Sequence, residues 1–239
     1  MLGYCDGALH QGYAADPLKY KNTELYFRGA TITRAHFDWM EAKYGLRGAD
    51  RVMITGGSAG GIAVHLWTNY LRGFVRNTDA VRAVDDSGVF LNVKTVLGDN
   101  KIEKFVNNVF KVANTDEKTP LAGCNVLYSG EEWKCLFIQN AYPALAGPFL
   151  IINSEYDSWA IPNILEVKCL KGAMTGGQTL SGCSSREITH IESYRSLYRE
   201  TMAKFLAANP EASIWSIACS NHVYACLNVF YNSEFQRVP

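Results

Sequence analysis

The stretch RVMITGGSAGG, residues 51–61, constrains the fold more than any other part of this chain. Arg51–Thr55 is a short apolar run that suits a buried strand, and Gly56–Gly61 is a tight turn. Ile62–Arg72 then places Ala63, Leu66, Trp67, Tyr70 and Leu71 at spacings that bury one side of a helix. A strand that passes through a glycine turn straight into a helix belongs to an α/β architecture. The same alternation recurs along the chain. Val81–Val84 reads as a strand, Lys101–Val112 as an amphipathic helix through Ile102, Phe105, Val106, Val109 and Phe110, and Pro148–Asn153 as an unbroken apolar strand. Ser184 and Glu187 form a capping box that opens a long helix through Ile188, Ile191, Tyr194, Leu197 and Phe205, and Ser213–Ile217 is the last strand. Upstream, residues 1–30 read as loop and turn, and Thr31–Tyr44 as a helix with Ile32, Ala35, Trp39, Met40 and Tyr44 on its apolar side. No repeat or linker divides residues 1–239, so one domain is expected, with a mostly parallel sheet and helices on both faces.

Ser58 lies at the centre of the turn, in Gly56-Gly57-Ser58-Ala59-Gly60, which fits the G-x-S-x-G nucleophile elbow. A serine held between a strand end and a helix N-terminus presents its hydroxyl outward. The helix end beneath it favours developing negative charge, and the Ala59 backbone N–H is positioned as one oxyanion donor. A phosphate loop is disfavoured, because no Lys-Ser/Thr follows and the G-x-G-x-x-G spacing is absent.

A serine nucleophile needs a base, and the base an orienting acid. Chain order in α/β-hydrolases is serine, acid, histidine, with the acid after a late strand and the histidine in the loop after the last one. Asp157, just beyond the Pro148–Asn153 strand, is the first choice of acid; Glu155 is its local rival, and Asp85 and Asp86 stand behind both. His222 is the histidine after the last strand. His10 is the rival base, while His65 reads as a packing or surface residue and His36 and His190 as solvated helix positions.

Balanced charge, 23 basic against 23 acidic residues with pI near 6.9, leaves no electrostatic footprint for nucleic acid or anionic membranes. The longest charge-free stretch, Cys135–Ser154, is interrupted by Gln139, Asn140, Pro143, Gly147, Pro148 and Asn153, so it reads as loop and buried strand rather than a membrane span. The seven cysteines fall into three local couples, Cys124 with Cys135, Cys169 with Cys183 and Cys219 with Cys226. None has CxxC spacing and no finger-like histidine stands beside one, which argues against zinc and for disulfides in an oxidising compartment. Cys5 is left over, and its partner is expected upstream of Met1. The opening MLGYCDGALH has neither the basic nor the apolar region of a signal peptide, so the chain reads as a fragment of a secreted protein.

Seven segments, in order and spacing, resemble the pectin acetylesterase/Notum family: YCDGA (4–8), ELYFRG (24–29), GGSAGG (56–61), DSGVFL (86–91), CLFIQN (135–140), NSEYDSW (153–159) and ACSNH (218–222). The YDSW and YCDGA segments are closer to the pectin acetylesterase branch. This resemblance implies an α/β-hydrolase fold, secretion, local disulfides and a serine carboxylesterase triad with no metal or organic cofactor. Carried over by position, the nucleophile is Ser58, the acid Asp157 and the base His222. Two departures stand out. Many plant members carry Cys where this chain has Gly57, and family members have upstream strands and a Gly-Gly-Trp-type turn with further oxyanion donors. The N-terminal strands are therefore expected to be missing, with a sheet edge left unpaired.

The function expected is hydrolysis of acetyl esters of a polysaccharide such as pectin, through an acyl-enzyme, by a monomer with no nucleic-acid partner. A Notum-like lipid or fatty-acyl carboxylesterase is the alternative within enzymes. A non-catalytic fragment or carbohydrate-binding pseudoenzyme is the alternative outside them. Trp159, beside the acid, is a candidate for sugar stacking or for plain core packing.

Overall fold

The computed structural model describes residues 2–114, 118–170 and 179–224. Its strands are β1 (Leu18–Tyr20), β2 (Thr23–Leu25), β3 (Val52–Gly57), β4 (Val81–Asp86), β5 (Phe149–Asp157) and β6 (Ser213–Asn221). Its α-helices are α1 (Gly29–Tyr44), α2 (Ala59–Phe74), α3 (Lys101–Ala113), α4 (Ala122–Leu127), α5 (Ile138–Ala141), α6 (Ala160–Asn163) and α7 (Ser185–Ala208). β3, β4, β5 and β6 lie side by side in that order, and every pairing is parallel. β1 and β2 form a separate antiparallel hairpin with all six residues exposed. That hairpin sits in a segment whose glycines predict only loop and turn; two three-residue strands with no buried face leave little periodicity to read.

The central strands are filled as a parallel sheet requires. Ile151 and Ile152 of β5 are 0% and 4% exposed, and in β4 Val81, Ala83 and Asp85 are buried while Arg82 is exposed. Helix α2 packs on β3 and β4, and α7 on β5, where Phe205 meets Phe149 edge-on at 6.0 Å. β3 is an edge strand, and on it Met53 is 66% exposed. A groove of about 850 Å³ follows that edge, lined by Val52, Ile54, Phe37, Trp67 and Ser58.

Helix α1 packs by a face other than the expected one. Ala30, Thr33 and Phe37 are buried, at i, i+3 and i+7, and Phe37 contacts the rings of Trp67, Tyr70 and Phe74 on α2. Trp39 and Tyr44, expected inside, are 49% and 68% exposed; they meet edge-to-face, and the Lys43 ammonium lies over both rings. Burying the polar Thr33 is possible because its hydroxyl donates to the Gly29 carbonyl at 2.8 Å. On α3, likewise, Phe105 is exposed and the buried line is Ile102, Val106 and Ala113. The Ser184–Glu187 capping box is present at the start of α7.

Two disulfides join Cys124 to Cys135 and Cys169 to Cys183. The third expected couple involves Cys226, which lies outside the described residues. Cys5 and Cys219 are exposed thiols. No helix among the described residues is long and apolar enough to cross a membrane.

Candidate active site

All four strands of the parallel sheet end at one place. β3 delivers Ser58, β4 delivers Asp86 and Ser87, β5 ends on Asp157, and β6 ends one residue before His222. The register aligns Gly57 with Asp86, Asp86 with Ile152 and Asp157 with Asn221, so all four carboxyl ends lie on one side of the sheet, with β5 and β6 running on past the ends of β3 and β4. In open parallel sheets, sites form in the crevice beyond those ends.

Ser58 is the residue between β3 and α2, and its backbone is strained, with φ 56° and ψ −118°. The turn survives because its neighbours bind it: Ser58 N–H donates to the Asp86 carbonyl at 2.8 Å, and the Ser58 carbonyl accepts from Gly61 N–H at 2.9 Å. Gly56 is needed for a steric reason, since a Cβ there would lie 2.3 Å from the Gly60 carbonyl oxygen. A Cβ on Gly60 meets nothing within 4 Å, so of these two glycines only Gly56 is required by close approach.

His222 Nε2 lies 2.9 Å from Ser58 Oγ, and its Nδ1 lies 2.7 Å from Asp157 Oδ2. The second carboxylate oxygen, Asp157 Oδ1, accepts from the N–H groups of Trp159 at 2.9 Å and Ala160 at 2.8 Å. Those amides lie at the start of α6, so the carboxylate is fixed by backbone and only its Oδ2 is left for the imidazole. Asp157 is 2% exposed. The His222 ring is flanked by aromatics: Trp159 stacks at 6.1 Å and Phe90 lies at 6.3 Å, with Phe90 edge-on to Trp159 at 5.0 Å. Trp159 therefore packs on the imidazole. Ala59 is the first residue of α2, where backbone N–H groups precede the intrahelical ladder.

The rival side chains have other engagements. Asp85 is 0% exposed and bonds His65 Nε2 at 2.7 Å, so His65, 2% exposed, belongs to a buried polar pair rather than to the surface. Glu155 pairs with Arg195 at 2.5 Å, with Arg199 3.8 Å away. His10 stacks on Tyr4 at 4.9 Å and lines the groove beside β3; burial pushes its pKa down, against a smaller upward pull from Asp6. His190 Nε2 is 2.9 Å from the Lys94 carbonyl.

Among known families, the model for pectinacetylesterases matches residues 1–238. The chain belongs to the pectinacetylesterase family. It is 28% identical over 225 residues to pectin acetylesterase 4 of Arabidopsis thaliana, an alignment that covers 93% of this chain and 54% of that protein. It is 30% identical over 197 residues to pectin acetylesterase 11 of the same plant, covering 80% of this chain and 48% of the relative. The chain thus spans about half the length of the curated relatives it matches. Among solved structures, the Wnt deacylase Notum from Drosophila superposes with a TM-score of 0.77 at 21% identity, over 97% of this chain and 62% of Notum. That superposition identifies the fold of this pectinacetylesterase-family chain as the Notum-like α/β-hydrolase fold.

In the sequence Asp86 stands out only as a rival acid, and Ser87 and Gly88 only within the family pattern. The signal of this DSG segment was positional: an acidic residue and a serine at the end of the strand paired with the elbow strand.

Proposed function

We propose that this chain is a serine carboxylesterase that removes acetyl groups from an esterified polysaccharide such as pectin. One observation carries the reading: a hydroxyl, an imidazole and a carboxylate, linked at 2.9 and 2.7 Å, at the carboxyl ends of the sheet in a pectinacetylesterase-family chain. In this reading His222 Nε2 accepts the Ser58 proton as Oγ bonds to the acetyl carbonyl carbon. Asp157 accepts the Nδ1–H bond, holds the tautomer and stabilises the imidazolium. The Ala59 amide is the donor assigned to the resulting oxyanion; one such donor is worth about 100- to 1000-fold in kcat. His222 next gives the proton taken from Ser58 to the sugar oxygen as its bond to the acetyl carbon breaks, and the sugar leaves as the free hydroxyl. A water then gives a proton to Nε2 as it attacks the acetyl-enzyme, and the imidazolium returns that proton to Ser58 Oγ as the Oγ–acetyl bond breaks and acetate leaves. The two disulfides suit an oxidising, extracellular setting.

A specific observation favours a second reading, a longer acyl group. The groove of about 850 Å³ that reaches Ser58 has walls of Val52, Ile54, Phe37 and Trp67, room and chemistry for an aliphatic chain. Hydrolysis of p-nitrophenyl acetate and octanoate by the parent and Ser58→Ala separates the possibilities. A Ser58-dependent rate that favours acetate, followed by acetate release from acetylated pectin, supports the first reading; preference for octanoate supports the second. Equal rates from parent and Ser58→Ala on both esters overturn both.

A further inference from the structure

The triad needs His222 to hold a fixed aim, yet this residue stands just beyond the last ladder pair of β6, where strand pairing no longer restrains it. The backbone immediately after it is strained. Val223 has φ 60°, a left-handed conformation that a β-branched residue rarely adopts. What holds it there comes from β4. Val223 N–H donates to Ser87 Oγ at 2.9 Å, and Tyr224 N–H donates to Asp86 Oδ1 at 2.9 Å. Ser87 Oγ–H in turn donates to Asp86 Oδ1 at 3.0 Å, so hydroxyl and carboxylate form one acceptor unit for two successive amides. Both side chains are 1% exposed, where such bonds meet little competition from water.

The same dipeptide also grips the nucleophile. The Asp86 carbonyl accepts Ser58 N–H at 2.8 Å, and Ser87 N–H donates to the Ile152 carbonyl at 2.7 Å, tying the unit to β5. Ser87 itself sits at φ 62°, which turns its hydroxyl toward the Val223 amide. Val223 closes the bracket sterically, since its Cγ1 lies 2.9 Å from where a Cβ on Gly57 would stand.

The geometry points to Asp86 and Ser87 as positioning residues that set the separation of Ser58 and His222 in the esterase reaction, an inference that rests on the function proposed above. Neither acts on the reacting atoms. Asp86 reaches the nucleophile through its carbonyl and the base loop through its carboxylate, and Ser87 reaches the base loop through its hydroxyl. A single strand end thereby aligns groups that are 164 residues apart in the chain.

Ser87→Gly is the informative variant, because glycine adopts the left-handed conformation at position 87 without strain and the CH2OH group that holds the Val223 amide is removed. With p-nitrophenyl acetate it should lower kcat by about 10- to 100-fold at little changed KM, the effect of a misaimed base. Asp86→Asn keeps an Oδ1 acceptor and should stay within about threefold of the parent, whereas Asp86→Ala should fall with Ser87→Gly. In a His222→Ala background Ser87→Gly should change the residual rate less than about twofold, since no base remains to be aimed. Proton NMR supplies a readout that does not depend on turnover. The downfield His222 Nδ1–H signal, identified by its loss in His222→Ala, should broaden or shift in Ser87→Gly and persist in Asp86→Asn. An unchanged signal, an undiminished kcat, or an equal loss in both His222 backgrounds overturns the positioning role. A parent lacking any Ser58-dependent rate but showing the expected NMR changes would instead retire the esterase reading and leave the bracket as a device that orders His222.

Discussion

Replacing His65 by leucine tests how the elbow is supported from behind. His65 lies on α2, seven residues after Ser58, and gives Asp85 Oδ2 its partner at 2.7 Å. Asp85 is 0% exposed, and its other oxygen accepts Gly88 N–H at 2.8 Å. It is wedged so tightly that a Cβ on Gly61 would lie 2.1 Å from Asp85 Oδ1. In His65→Leu one carboxylate oxygen is left in the interior without its partner and with no path to water. Breaking a buried polar pair from one side costs about 3–5 kcal/mol. For a chain of this size each kcal/mol is worth roughly 2–4 °C, so the melting temperature should fall by about 6–20 °C. Asp85→Asn should cost less, about 1–2 kcal/mol: the amide oxygen still accepts from Gly88, and its NH2 donates to the other tautomer of His65. The double variant His65→Leu/Asp85→Asn should be less destabilised than the two effects added, because the stranded charge is gone. Thermal melts and urea titrations at pH 7 measure all three. A His65→Leu variant that melts within about 2 °C of the parent would falsify the claim that this pair braces the elbow.

Asp157→Asn should leave the fold intact, because the amide oxygen can still accept from Trp159 and Ala160, while kcat on p-nitrophenyl acetate drops by about 10⁴-fold through the wrong His222 tautomer; a drop under tenfold would remove Asp157 from the role of orienting acid. Cys124 and Cys135 close a short loop, 11 residues apart, so Cys124→Ala/Cys135→Ala should lose about 3 kcal/mol, or roughly 6–12 °C by calorimetry. A change under about 2 °C would mean that packing of these buried residues, not the cross-link, holds α4 in place. The depressed pKa of His10 has a defined sign: between its folded value and about 6.5 the unfolded chain binds more protons, so stability declines as pH falls through that window and levels off beneath it. His10→Asn keeps a side chain that tolerates φ 55° and should flatten this part of the urea-midpoint profile between pH 8 and 5.5; an unaltered slope would assign it to other groups.

Local chemistry was enough to read much of this protein. The apolar run at 148–153, the glycine turn around Ser58 and the Ser184–Glu187 box each specify their element through neighbours in the chain, so strand, turn and capped helix stand where the residues predict them. Strand-then-loop order was likewise sufficient to nominate Asp157 and His222, because a parallel sheet brings the ends of its strands to one edge. Questions of which side chain faces which neighbour needed the folded chain. Helix α1 offers Trp39 and Tyr44 for burial, yet Phe37 goes inside, since the rings of Trp67, Tyr70 and Phe74 on α2 wait on that side. In sequence Asp85, Asp86 and Glu155 are all rivals to Asp157 for the role of acid. Their partners differ, His65 for the first, the amide of Tyr224 for the second and Arg195 for the third, through contacts 20, 138 and 40 residues distant. Periodicity carries information over a few residues; contacts at those separations are set by strand register and helix packing, which arise only once the sheet has formed.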